Sequence, residues 1–249
     1  MTKPDLPPPI ASLIDHLAAF PNVVAITRRR AGRMEHEPPH AGWDLGLYYQ
    51  GEFDPESITE LPGTARAPGD RGRMRNSAAA LTIEGLAVNV HYRNIDDVNH
   101  WINEAQAGRF EVDGAPGHLA GIPTYTLAAE VALDEVVAGS LETAIDYPDR
   151  LASKGATRWR HHAKSSLDHA NDRAAHGDLA GVVGHLARAC VEVAHARLCE
   201  AREWTLNEKE ILERAELTHM NQILTALNTD PVTLTQRVLQ ARTCLLYTS

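Results

Sequence analysis

Apolar residues recur at helical spacing over Ile10, Leu13, Ile14 and Leu17, predicting an amphipathic helix from Ile10 to Phe20 that Pro21-Asn22 breaks. The pattern then changes to short apolar runs. Val23–Ile26, Asp44–Tyr49 and Leu81–Ile83 read as strands, and Glu84-Gly85 reads as a hairpin turn into a return strand from Leu86 to Tyr92. Helical spacing resumes from Ile95 to Ala107, with Asn94 placed to cap the helix and Gly108 to close it. Beyond this point the pattern is almost purely helical. Tyr125–Ala138 is apolar at Leu127, Val131, Val136 and Val137, and Gly139 is its expected end. Thr157–His176 is polar and histidine-rich. Asp178 should cap a long helix to about Arg202 that turns Val182, Val183, Leu186, Cys190, Val193 and Leu198 inward. Asn207–Leu217 and Pro231–Arg242 complete an expected bundle of about four to five helices.

This order implies an α+β fold: a mixed sheet with helices over residues 1–122, followed by an all-α helical bundle over 123–243. The boundary is expected near Gly121-Ile122-Pro123. Two stretches fit neither pattern. Residues 27–41 are rich in Arg and then in Glu, His and Pro, and residues 62–76 are rich in Gly, Pro and Arg. Both are long for structureless loops in a compact domain.

Composition narrows the function. The chain has 249 residues, a formal net charge of −9 and a pI of about 5.8. A general nucleic-acid binder would carry a basic stripe, so the expected partners are small molecules or a basic protein. No apolar run approaches the ~20 residues of a membrane span, and the first residues lack an apolar signal core. Cys190, Cys199 and Cys244 form an odd set without a Cys-x-x-Cys pair, which fits a reducing cytoplasm.

The chemistry concentrates in two strands, Gly42-Trp43-Asp44-Leu45-Gly46-Leu47-Tyr48-Tyr49 and Val88-Asn89-Val90-His91-Tyr92-Arg93. The first resembles the carboxylate strand of the nucleotidyltransferase superfamily, with the DNA-polymerase-β-like fold, where it reads Asp-x-Asp-hydrophobic-Gly. The second resembles the strand that carries that family's third Asp. Further segments follow in order: 105–112, 119–125, Leu186-Ala187-Arg188-Ala189, Glu192 with His195-Ala196-Arg197, and Leu206-Asn207-Glu208-Lys209. Together they look like actinobacterial nucleotidyltransferase-domain proteins with a helical C-terminal domain.

The resemblance implies transfer of a nucleoside monophosphate from Mg²⁺-bound NTP, ATP by expectation, to a small hydroxylated acceptor. Carboxylates at i and i+2 of a strand point to one face and can share a metal pair, and a third on the next strand can act as general base. On that template Asp44 and position 42 are the metal positions, and Asp44 and Asn89 the catalytic ones. Only Asp44 is a carboxylate here: Gly42 lacks a ligand, and Asn89 offers an uncharged oxygen that cannot serve as a base. Counting back from Asp44, the family's phosphate-binding Gly-Gly-Ser falls on Arg29-Arg30-Ala31, and Lys209 is the candidate to reach phosphate from the second domain. CGG-type arginine codons read one base later become glycine codons, so tract 27–41 also reads as a short frame displacement that preserves the spacing to Asp44. Residues 244–249 look like a translated sequencing adapter and are set apart as a non-native tail. The alternative reading is a catalytically inactive, antitoxin-like member that binds nucleotide or a protein.

The remaining candidates have plainer readings. His162, His169 and His176 share a helix face without carboxylates at ligand spacing, which suits a solvated face. Arg188 and His195 loosely match the Arg-His pattern of HEPN-type RNases, but Arg188 is expected to pair along its helix. Asp96 and Asp97 suit a first helical turn, and Cys190 and Cys199 the core.

Overall fold

The computed structural model describes residues 6–29, 42–54, 58, 64–66 and 78–247. Arg30, Ala31 and most of the two tracts noted above lie outside them. The elements in order are α1 (Pro8–Ala18), β1 (Val23–Arg28), β2 (Trp43–Tyr49), β3 (Thr64–Arg66), β4 (Ala78–Ile83), β5 (Leu86–Asn94), α2 (Ile95–Gln106), β6 (Val112–Asp113), β7 (Ile122–Pro123), α3 (Thr126–Leu133), β8 (Glu135–Gly139), α4 (Asp149–Ala174), α5 (Leu179–Ala201), α6 (Ile211–Arg214), α7 (Met220–Thr225) and α8 (Pro231–Leu246). The fold is α+β, a mixed sheet with helices followed by a helical C-terminal region.

The chain forms two compact units, Met1–Asn103 with Leu127–Asp146, and Glu104–Thr126 with Tyr147–Ser249. They interleave, whereas the apolar pattern alone indicates a single passage near Gly121. The reason is β8. Tyr125–Ala138 reads as one helix because its apolar positions Leu127, Val131, Val136 and Val137 run on with no Gly or Pro before Gly139, yet α3 stops at Leu133 and β8 returns to pair antiparallel with β1. Val136 and Val137 are β-branched and suit that strand. Gly139 ends it with φ +72°, and a Cβ there would collide with the Val24 carbonyl oxygen.

The first unit is built on a six-stranded sheet in the order β3-β4-β5-β2-β1-β8. Only β2 and β5 are parallel among its pairs. The β4–β5 turn is Glu84-Gly85, both at positive φ, as a type I′ hairpin requires. One sheet face buries Ile26, Leu45, Leu47, Val88 and Val90 under the apolar stripe of α1. The opposite face is apolar at Ala25 and Tyr48, against Val98 of α2 and Val131 of α3. Asn94 accepts the Asp96 N–H at 2.8 Å, and Gly108 donates to the Ala105 carbonyl beyond the end of α2.

The second unit is dominated by α4 and α5. Asp178 caps α5 by accepting the Gly181 N–H at 2.9 Å. Small residues on both helices permit close packing: a Cβ on Gly155 would stand 3.1 Å from Cys199 Sγ. Glu192 is buried between them, accepting from Ser166 Oγ at 2.7 Å and Arg188 Nε at 2.8 Å. Three expectations change here. Val183 is 40% exposed rather than inward. The helix expected over Asn207–Leu217 shrinks to the four residues of α6, because Asn207 Oδ1 takes the Lys209 N–H in a tight local turn and Glu210 adopts a left-handed conformation. Helix α8 runs past its expected end at Arg242 to Leu246, and Leu245 is buried.

Candidate functional site

Adjacent strands β1, β2 and β5 place nine residues in three rows on one face of the sheet of the first unit. Register pairs Asp44 with Asn89, Gly46 with His91 and Tyr48 with Arg93. On the other side Thr27 pairs with Gly46 and Ala25 with Tyr48, and the Arg29 N–H donates to the Asp44 carbonyl at 2.9 Å. The rows are therefore Arg29–Asp44–Asn89, Thr27–Gly46–His91 and Ala25–Tyr48–Arg93. The first row is the most open. The middle row requires glycine, because a Cβ on Gly46 would meet Thr27 Oγ1 at 2.5 Å.

Helix α3 and the residue just after it add two acids to this face, Glu130 and Asp134. Glu130 is clamped by Arg93, whose Nε donates to Oε2 at 2.6 Å and whose Nη2 donates to Oε1 at 2.8 Å. Arg29 Nη2 reaches the same Oε1 at 3.1 Å. Asp134 follows one turn later. Its Oδ2 accepts from Thr27 Oγ1 at 3.4 Å, and its Oδ1 lies 3.8 Å from Arg29 Nε. The last contact of Arg29 is Asp44, with Nη1 4.0 Å from Oδ2. Asp44 Oδ1 in turn accepts from Asn89 Nδ2 at 2.9 Å and faces His91 Nε2 at 3.8 Å. An unbroken chain of charges thus runs Arg93–Glu130–Arg29–Asp44.

Three carboxylates in one cluster behave differently. Burial pushes Asp44 up, but His91, Asn89 and the Arg29 charge outweigh it and bring the group to about 2. Glu130 is likewise raised by burial and pulled down to about 2 by Arg93. Asp134 goes the other way: burial, reinforced by the Glu130 charge, lifts it to about 7 against the pull of Arg29. A raised folded-state value means that the folded form holds the proton more tightly than the unfolded form. The contribution of Asp134 to stability is therefore full below about pH 4 and declines as the pH rises to about 7. Asp134→Asn should remove this decline, leaving the first unit more stable relative to the unmodified protein at pH 8 than at pH 4, by a few kcal/mol at most. Urea unfolding at the two pH values, followed by amide exchange in β1 and β2, checks it.

The residues present do not fit a magnesium pair. Mg²⁺ favours several charged oxygens in near-octahedral array. Position 42 has no side chain, Asn89 turns its amide donor toward Asp44, and Arg29 approaches the remaining carboxylate. Among the described residues, no group of three or more His, Cys, Asp or Glu side chains is placed to hold a metal ion.

Of the residues singled out from sequence, Asp44, Asn89, Gly42 and Arg29 come together at the open end of β2. Arg30 and Ala31 lie outside the described residues, and Lys209 is exposed on the second unit. Sequence reasoning passed over His91, Arg93, Glu130 and Asp134. The available signal was two acids four residues apart inside the apolar run Leu127–Val137, since charges in such surroundings need partners.

The second unit holds a different polar cluster. The Trp159 ring stacks on His195 with centroids 4.5 Å apart, and its Nε1 donates to the Tyr125 hydroxyl at 3.0 Å. Tyr125 Oη lies 3.3 Å from His195 Nδ1. Burial, aided by His118 and Arg214, pushes His195 down to about 3. With His195 buried on Trp159 and Arg188 bonded to Glu192, the two do not form an exposed RNase-like pair.

No family model and no curated protein matches the chain. Among solved structures it is similar to a nucleotidyltransferase-like protein from Exiguobacterium sibiricum 255-15, at 11% identity and a TM-score of 0.43, over 95% of this chain and 75% of that one.

Proposed function

We propose that the chain is a nucleotidyltransferase-fold protein whose transfer site, centred on Asp44, has lost metal-dependent turnover and serves in ligand binding. The reaction the resemblance implies is transfer of a nucleoside monophosphate from NTP, ATP by expectation, to a small hydroxylated acceptor. One observation carries the reading. In the parallel pair β2–β5 the residue facing Asp44 is Asn89, which donates a 2.9 Å hydrogen bond to it instead of presenting a second carboxylate. Asp44 keeps its charge down to about pH 2, so it can still orient a ligand's hydroxyl or amine. It has no charged oxygen beside it at positions 42 or 89.

The test restores both positions. Asn89→Asp needs no extra space. At Gly42 a Cβ would come 3.1 Å from the Ala87 carbonyl oxygen, which requires a shift of a few tenths of an ångström at an exposed strand start. The Gly42→Asp, Asn89→Asp double variant should be stabilised by Mg²⁺ and a non-hydrolysable NTP together. At ligand about a hundredfold above Kd the gain is about 2.7 kcal/mol, a rise of several degrees in melting temperature. The unmodified chain should show no Mg²⁺-dependent part of this rise. A double variant that folds and ignores Mg-NTP removes the nucleotidyltransferase reading.

A further inference from the structure

We propose that Arg29 is a latch on the Asp44 site: when the Asp134 carboxyl gives up its proton, the guanidinium leaves Asp44 for Asp134 and uncovers the charge of Asp44. The location of the site rests on the proposed function, and the latch concerns its regulation. Behind it stands a pair of buried polar atoms that face each other without bonding. Arg29 Nε and Asp134 Oδ1 are 3.8 Å apart, and neither has a hydrogen-bond partner among the described residues. A guanidinium and a carboxylate would close such a gap. Two donors would not. Thr27 Oγ1 donates to the other oxygen, Oδ2, at 3.4 Å, which leaves Oδ1 to carry the proton of a neutral carboxyl, opposite a guanidinium that can only donate. Burial and the Glu130 charge hold that proton on Asp134 up to about pH 7.

The other contacts fix which way the guanidinium can move. Glu130 Oε1 holds Nη2 at 3.1 Å, and Arg93 clamps Glu130 with two bonds, so this corner is the pivot. Nη1 is 4.0 Å from Asp44 Oδ2, too far for a hydrogen bond. The three nitrogens are corners of one rigid plane. Closing the gap at Nε from 3.8 Å to the ~2.8 Å of a charged hydrogen bond therefore carries Nη1 away from Asp44. The charges agree with this. With Asp134 neutral, Arg29 and Arg93 match Asp44 and Glu130; once Asp134 ionises, one negative charge is in excess. It is left on Asp44, whose side chain is 32% exposed against 8% for Glu130 and 5% for Asp134. The groups that face Asp134 are Thr27 of β1, Arg29 just after it, Glu130 of α3, Arg93 of β5 and Tyr48 of β2. Arg93 is committed to Glu130, which leaves Arg29 as the cation able to respond. His91 stands by Asp44, with Nε2 3.8 Å from Oδ1.

Nuclear magnetic resonance of the unmodified protein, titrated between about pH 5 and 9, tests the latch. The signals of Asp134 Cγ, Arg29 Nε–H and Asp44 Cγ should step together near pH 7, with the Nε–H moving downfield as its bond forms. In Asp134→Asn the Arg29 Nε–H shift should stay constant. At the alkaline end its exchange with water should be about tenfold faster there than in the unmodified protein at the same pH, the worth of one charge-assisted hydrogen bond. In Arg29→Gln the Asp44 step should largely disappear although Asp134 and His91 still titrate. An Asp134 Cγ without a step in this range, or an Arg29 Nε–H that ignores the step, would overturn the proposal. So would an Asp44 step undiminished in Arg29→Gln, which would mark the direct field of Asp134 or His91. If Arg29→Gln does not fold, the Nε–H comparison decides alone. Neither nucleotide nor metal enters these readings. A double variant that ignores Mg-NTP would therefore overturn the proposed function and leave the latch standing, and a failed latch would leave the proposed function standing.

Discussion

Replacing Glu130 by Ala will cost the first unit about 3–5 kcal/mol, a large part of the 5–15 kcal/mol that holds a typical domain together. Among the described residues Glu130 is the one carboxylate bonded to Arg93, whose side chain is 4% exposed. Without it the guanidinium keeps, among the described residues, one bond, to the Tyr92 carbonyl at 3.0 Å, and remains a buried charge with no opposite charge bonded to it there. The loss comes from stranding that charge. Removing both partners should therefore be far milder than removing one, and Glu130→Leu with Arg93→Met should recover most of the stability. Urea unfolding followed by amide exchange in β2 and β5 separates the two cases. Because Glu130 also holds Arg29, the single variant should additionally loosen Asp44 and raise its titration from about 2 toward the ordinary carboxylate range.

Trp159→Ala should cost the second unit about 3–5 kcal/mol, the usual range for emptying a large aromatic site. Trp159 is fully buried. Its ring packs on Phe110 with centroids 5.6 Å apart and on His195 at 4.5 Å, and its N–H satisfies the Tyr125 hydroxyl. The cavity left behind would admit water beside His195. The imidazole, held at about 3 by burial, should then titrate closer to its ordinary value. Its depressed value has a definite sign for stability. The unfolded state takes up a proton below about pH 6.5 that folded His195 refuses, so the second unit should weaken as pH falls from about 6.5 to 3. In Trp159→Ala this acid sensitivity should shrink along with the overall stability, as urea titrations at pH 4 and 7 would show. The effect is opposite in direction to that of Asp134 and sits on the other unit, so probes local to each unit can read them apart.

Much of this arrangement was legible in the chain. Alternation in β2 and β5 put Asp44 and Asn89 on one face, and the hairpin dipeptide Glu84-Gly85 fixed how β5 returns. Local chemistry located the cap at Asp178 and the end of α2 at Gly108. What escaped depends on distant partners. β8 is hidden in a mainly apolar run that no Gly or Pro interrupts, and pairing with the edge of β1 makes a strand of it. Arg93 and Glu130 are 37 residues apart, and nothing local pairs them. The expected helix over 207–217 failed for a local reason: the side chain of Asn207 can bond the chain two residues on, which competes with helix initiation.

Under the proposed function, Asp44, with Arg29 beside it and Asn89 bonded to it, does not support nucleotidyl transfer. This is tested most directly by pyrophosphate release from the four NTPs with Mg²⁺, using the unmodified protein and a small-molecule extract as the source of acceptors. The expected release is no faster than in the absence of protein. Release that depends on Mg²⁺ and disappears in Asp44→Asn would contradict the proposed function.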